Sequence, residues 1–282
     1  MSGQPNRIRL LAGDEIAPDG CVLIESQAPY LGQVAVFRVA VPASPARLQD
    51  VAGLARAICD DFVRRIIRGV EDAGGKITCS KGCGACCSSY LVPMTVPEAL
   101  RLIEELQALD QRERRRLEPL FLKAEQKLAE TDLAGQMASL DPDDPAGTAA
   151  QRELAGKWWS ENRFPCPLLA GNACGLYRSR PLPCREFLAL SDPRCCTTNT
   201  ETRAGRPFSM HQVVSAWAAE FEGARPALVL MANLLGWWQH NAERAKLTWP
   251  GPILVRRLME ILAQTAQQAA KTFEGPVPPG GR

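Results

Sequence analysis

The residues of this 282-residue chain best able to do chemistry are its eleven cysteines: Cys21, Cys59, Cys79, Cys83, Cys86, Cys87, Cys166, Cys174, Cys184, Cys195 and Cys196. Nine of the eleven fall into two short windows, whereas packing thiols scatter. The first window reads Cys79-Ser-Lys-Gly-Cys83-Gly-Ala-Cys86-Cys87. Two or three residues between cysteines let the backbone fold back so that two sulfurs reach one metal. Gly82 and Gly84 allow the tight turns this requires, and Lys81 supplies a cation that favours the thiolate form. The second window, from Phe164 to Cys196, places Cys166, Cys174 and Cys184 each beside proline or glycine and ends on Cys195-Cys196. So much proline and glycine is expected to give neither a hairpin ladder nor a long helix, and few apolar contacts to order the segment. A structural metal would supply that order. Zinc binding is worth roughly 10–16 kcal/mol in small domains, comparable with the stability of a typical whole domain.

An iron–sulfur cluster uses cysteine almost exclusively, and a 4Fe–4S cluster takes four thiolates; all-cysteine structural zinc has the same appetite. Eight thiols would serve two zincs, or one cluster with cysteines to spare. The side chains of adjacent Cys86 and Cys87 are expected to diverge, which suits a polynuclear centre better than a single ion and tilts the expectation toward iron–sulfur. Cys21 and Cys59, in a strand and on an apolar helix face, are expected to be buried packing residues.

Other chemistry is thinly represented. His211 and His240 are the two histidines, and each is expected to be structural or exposed. The chain has no H-E-x-x-H, no glycine-rich phosphate loop and no G-x-S-x-G. Asp60-Asp61 reads as a solvated helix face, and the pairs Trp158-Trp159 and Trp237-Trp238 as packing. Lys+Arg 33 against Asp+Glu 31 leaves a formal charge of +2, which offers no clustered basic surface for nucleic acid. The N-terminus lacks the pattern of a secretory signal. The most apolar stretch, Ala227 to Trp238, falls short of the roughly 20 residues of a membrane span. A cytoplasmic protein is the expectation, in a compartment that keeps thiols reduced.

The elements that must position the windows are mostly helical. Val22–Glu25 and Val34–Val41 suggest a small β element within residues 1–45. Val51, Leu54, Ala55, Ile58, Phe62 and Ile66 predict a helix from Arg47 to about Val70, stopped by Gly74-Gly75. Thr95-Val-Pro-Glu98 has the spacing of a capping box, and Leu102, Ile103, Leu106 and Leu109 continue that helix. Further helices are predicted over about 111–130, with the charged run Arg112–Arg116 solvated, and over 148–161, 209–222, 225–245 and 252–272. Residues 141–147 read as a loop and 273–282 as a disordered tail. The fold class expected is mainly α (α+β): a β element over 1–45, a cysteine-cluster domain over 46–200, C-terminal helices over 201–272, then the tail.

Taken together, C-x3-C-x2-C-C followed by C-P-x-L, C-x-x-Y and R-P-x-x-C-R resembles the YkgJ-like cysteine-cluster family, a zinc- or iron-chelating or iron–sulfur cluster containing domain. The resemblance covers about residues 75–196, and it departs from the family's C-x2-C-x2-C-C in its first gap, which holds three residues. It implies Cys83, Cys86, Cys87, Cys166, Cys174 and Cys184 as metal ligands, with Cys79 next; apart from the resemblance, the Cys195-Cys196 pair at the end of the second window could complete the set, with Cys196 as its ligand. Tyr177, Arg180 and Arg185 match the motif's other positions and would lie at the cofactor, the arginines offsetting thiolate charge and donating hydrogen bonds; the alternative is that the arginines are surface residues fixing a loop. Three functions follow: a protein that carries or stores a cluster or passes electrons; a cluster-dependent modifying enzyme, since a flagellin lysine methylase has a similar motif; or a structural zinc site organising an interaction module for a protein partner.

Overall fold

Alternation of apolar and polar residues builds the first layer. In the computed structural model, which describes residues 7–88, 90–139, 145–162, 164–198 and 200–276, strands β1 (Arg9–Leu10), β2 (Cys21–Tyr30) and β3 (Gln33–Pro42) form an antiparallel sheet ordered β1-β3-β2. Leu31 and Gly32, with φ of 52° and 72°, close the β2–β3 hairpin above the Tyr30–Gln33 pair. Two left-handed residues are what a type I′ turn needs. Ile24, Ala28, Tyr30, Ala35, Phe37 and Val39 face inward, so the sheet register is fixed by one buried face.

Helix α1 (Leu48–Asp72) buries the predicted stripe, Val51, Leu54, Ala55, Ile58, Phe62 and Ile66. The Tyr30 ring stacks on Phe62 at 4.1 Å between centroids and ties sheet to helix. Gly74, at φ 76°, turns the chain out of the helix as expected. Helix α2 (Val96–Gln107) has its capping box: Glu98 N–H donates to Thr95 Oγ1 at 3.4 Å, and Thr95 N–H donates to Glu98 Oε2 at 3.1 Å. It ends short of Leu109. Helix α3 (Gln111–Ala129) follows, capped by Asp110, and its Arg112–Arg116 run is solvent-facing. Next come α4 (Leu133–Ala138) and α5 (Pro145–Asn162). Of the loop expected over 141–147, residues 145–147 are the first turn of α5, and 141–144 lie outside the described residues.

The second window carries α6 (Leu182–Glu186) and α7 (Pro193–Cys196). Beyond it, α8 (Met210–Glu222) and α10 (Gly251–Ala269) are close to expectation. The continuous helix expected over 225–245 is not formed. Val229–Leu230 instead pairs with Pro93–Met94, and only Leu234–Asn241, α9, is α-helical. An apolar run with little periodicity reads alike for helix and strand, and here a distant partner strand decides. Gly236 belongs to a close crossing, since a Cβ there would collide with the Glu125 carboxylate of α3. The tail expected to be disordered is placed at its start: Gly205 N–H donates to Pro276 O at 2.8 Å, and the Phe273 ring lies against Gly205. Residues 277–282 lie outside the described residues.

Two main cores result. The sheet, α1, α8 and α10 enclose the first, with Trp217 at its centre. α2, α3 and the 229–238 segment enclose the second, in which Trp237 and Trp238 pack as expected; Trp158 is buried in a smaller cluster beside it. The protein is mainly helical with small sheets, as the sequence predicts. Among the described residues, no helix is long and apolar enough to cross a membrane.

Candidate metal centre

The two cysteine windows meet at the junction of those cores. Cys166 N–H donates to Cys87 O at 2.8 Å, a direct main-chain bond between the windows. A second seam runs alongside: Thr78 N–H donates to Ala189 O at 2.9 Å, and Ala189 N–H donates to the Cys79 sulfur at 3.1 Å. Gly84 lets the seams close, because a Cβ there would lie 2.6 Å from the Asn172 carbonyl oxygen. Gly82, at φ 96°, makes the turn before Cys83.

The second window is more ordered by packing than its composition suggests. Leu168 and Leu182 are fully buried, in the second and first core respectively. A minimal hairpin forms where none was expected, Leu169–Ala170 pairing with Ala173–Cys174 around Gly171 at φ 59°. Cys166, Cys174 and Cys184 are half-buried against the second core. Cys79 and Cys86 pack against Phe187, Ala189 and buried Cys196.

The thiols feel one another. Burial first, then neighbouring thiols, push Cys79, Cys174 and Cys184 up, and Cys166 up to about 12. Cys83 and Cys86 act on Cys79; Cys86 and Cys174 act on Cys166; and Cys166, Cys86 and Cys174 act on Cys184. Cys196 is pushed up to about 11 by burial and then by the Glu201 carboxylate, with Cys79, Cys86 and Cys83 contributing less. For Cys86 the hydrogen bond with the Cys87 thiol is the largest cause, ahead of burial. That contact corrects the expectation that the Cys86 and Cys87 side chains diverge.

All eight sulfurs expected as ligands therefore share one neighbourhood. Among the described residues, however, no three His, Cys, Asp or Glu side chains converge closely enough to form a metal-binding group. The sulfurs are gathered rather than set in a coordination polyhedron. Cys195, within α7, is half-buried beside Arg194. Cys59 lies in the first core as expected, whereas Cys21 opens β2 only half-buried.

The cation that favours thiolates here is Arg180, not the exposed Lys81. Arg180 acts on Cys79, Cys86, Cys174 and Cys184. Its guanidinium sits 4.2 Å over the Tyr177 ring, and its buried Nε has no hydrogen-bond partner among the described residues. A sulfur-only donor set beside an orphaned N–H fits an anionic thiolate–metal centre. Arg185 is occupied elsewhere: Nη1 donates to both oxygens of Asp60 at 2.7 Å, Nε donates to Arg180 O at 2.9 Å, and Nη2 donates to Arg178 O. Asp60 is thus an ion-pair partner rather than a merely solvated acid. A cavity of about 20 Å³ bounded by Tyr90, Trp158, Phe164 and Met231 reaches Cys166. It has room for roughly one water.

Two buried carboxylates hold the second window: Glu98, expected only as a capping partner, and Glu186, which the sequence did not single out. Glu98 Oε1 accepts from Leu182 N–H at 2.6 Å, joining the α2 cap to the start of α6. Glu186 accepts from Ser209 Oγ at 2.7 Å and Met210 N–H at 2.6 Å, joining the end of α6 to α8. Burial alone would raise the Glu98 carboxyl, but His211, 3.8 Å away, and the Leu182 and Thr95 N–H groups outweigh it and hold it below its ordinary 4.5. Such a carboxylate contributes stability that is fully present above 4.5 and is lost as pH falls through its lower folded value. Glu98→Gln is therefore expected to lie below wild type in denaturant midpoint at pH 7, with the gap narrowing as pH falls under 4.5. Glu98→Ala, which strands two buried N–H groups, should cost about 3 kcal/mol.

A mainly helical scaffold with a sulfur-lined junction is thus the class of protein in hand. Residues 78–209 match the model of the CxxCxxCC family, titled "Putative zinc- or iron-chelating domain". The resemblance read from the cysteine windows is borne out over that span, and with it metal binding. No curated protein and no solved structure matches the chain.

Proposed function

We propose that the two windows hold one thiolate-bound metal centre, an iron–sulfur cluster of the 4Fe–4S kind, in a protein that carries the cluster or passes electrons. The observation that carries this reading is the shared neighbourhood of eight thiols from both windows, clasped by the Cys166–Cys87 main-chain bond. The backbone seams hold the two windows side by side, which would let sulfurs from both reach one centre. Cys83, Cys86, Cys87, Cys166, Cys174 and Cys184 are the proposed core ligands, with Cys79 and Cys196 in reserve. Arg180, stacked on Tyr177, would supply the N–H and the positive charge that stabilise an anionic cluster. Free thiols in this number belong in a reducing compartment, and we place the protein in the cytoplasm on that ground.

Zinc is the second reading, and one observation favours it: Cys86 and Cys87 are in contact, so both can serve one ion. Anaerobic purification from iron-replete cells separates the two. A brown protein with broad absorbance near roughly 400 nm is expected for the cluster; a colourless protein with stoichiometric zinc would replace the first reading with the second. In either case burial, with neighbouring thiols adding to it, favours the protonated form of Cys79, Cys166, Cys174 and Cys184, so metal binding must release protons. Affinity should rise steeply with pH, with up to about four protons released per centre, as calorimetry in buffers of different ionisation enthalpy would measure.

A further inference from the structure

The Arg185 side chain is only 7% exposed, and its fork is committed to three partners. It meets both oxygens of Asp60 in α1, the Arg180 carbonyl and the Arg178 carbonyl. Those two carbonyls flank the end of the 3-10 turn Tyr177–Ser179, where backbone acceptors have no partner within the turn. The turn leads from Cys174 to Arg180, and Arg185 directly follows Cys184. Asp60 lies outside the segment that matches the family model.

We infer that Asp60 is a positioning residue for the metal centre. Its carboxylate orients the Arg185 fork, the fork fixes the backbone at Arg178 and Arg180, and that backbone sets Arg180 over Tyr177 and spaces Cys174 from Cys184. The inference rests on the metal-centre reading for its purpose, but not for its geometry. An ion pair kept only for stability could be replaced by apolar residues with little loss. What such residues could not do is aim two N–H groups at two carbonyls in a loop that regular structure does not hold. The Asp60 side chain is 40% exposed, so its contribution lies in direction rather than in filling the core.

The test uses the full-length reduced chain. Alkylation by iodoacetamide, read cysteine by cysteine by mass spectrometry on metal-free protein, reports how firmly the window is held. In Asp60→Asn the labelling of Cys174 and Cys184 is expected to rise about tenfold while buried Cys59, next to the substitution, stays protected. Asp60→Glu should restore the wild-type pattern. Arg185→Lys keeps the charge but loses the fork, and is expected to raise the same two rates, so the inference remains testable if Asp60→Asn folds poorly. A zinc titration of the same proteins should show about 10- to 100-fold weaker binding in Asp60→Asn, the usual loss for an outer-shell change. Unchanged labelling of Cys174 and Cys184, or a rise at Cys59 equal to theirs, would overturn the inference. If wild type takes up neither zinc nor iron while the labelling pattern holds, the metal-centre reading falls and the positioning role stands.

Discussion

Cys184→Ser is expected to strip the protein of its metal. Cys184 sits at the hinge of the arrangement: Leu182, two residues before it, is in the first core, while Cys184 packs against the second. Its thiol lies among those of Cys166, Cys86 and Cys174. Serine keeps the volume and loses the soft donor that both zinc and iron–sulfur centres require. Cys83→Ser tests the first window in the same way. Losing one ligand of four should lower metal content to the background level and, with the metal's contribution to folding gone, reduce soluble yield. Cys21→Ser, in a half-buried strand position outside both windows, serves as the control and should retain full occupancy. Metal analysis per folded chain is the measurement; full occupancy in Cys184→Ser would remove it from the ligand set.

The second large effect is removal of the metal by chelation. A ligand present at 1,000 times its dissociation constant stabilises the folded state by about 4 kcal/mol, and a chain of this size shifts its melting point by about 2–4 °C per kcal/mol. Chelation should therefore lower the midpoint by on the order of 10 °C. The damage is expected to be local. The first core, built by the sheet, α1, α8 and α10, draws on no window cysteine among its buried residues. Leu168 and Leu182 still anchor the window at two points. Helical circular dichroism should persist while protease cuts appear between Cys166 and Thr200. Uniform melting of all helices at once would show that the metal supports the entire fold.

Much of this was legible in the sequence, and what escaped has a common cause. The α1 stripe, the Thr95–Glu98 capping box and the two cysteine windows are local patterns, set by residues within a few positions of one another. Asp60 and Arg185 are 125 residues apart, and Glu98 and Leu182 are 84 apart. No local period announces either pair, so Asp60 reads as an ordinary surface acid and Glu98 as nothing more than a capping partner. The 225–245 run failed differently: its apolar residues satisfy a helix, but Val229–Leu230 pairs with Pro93–Met94, a choice made by tertiary contact. Lys81 is the nearest cation in sequence to the first window, yet the thiols feel Arg180, which only the R-P-x-x-C-R resemblance pointed to.

The central claim is that sulfurs from both windows bind the same metal. X-ray absorption at the metal edge of the anaerobically purified protein tests it directly. A first shell made only of sulfur is expected, at about 2.3 Å if the metal is zinc, and it should be lost when either Cys86 or Cys184 is replaced by serine. A first shell containing nitrogen or oxygen in the wild type, or an intact sulfur shell in either variant, would contradict it.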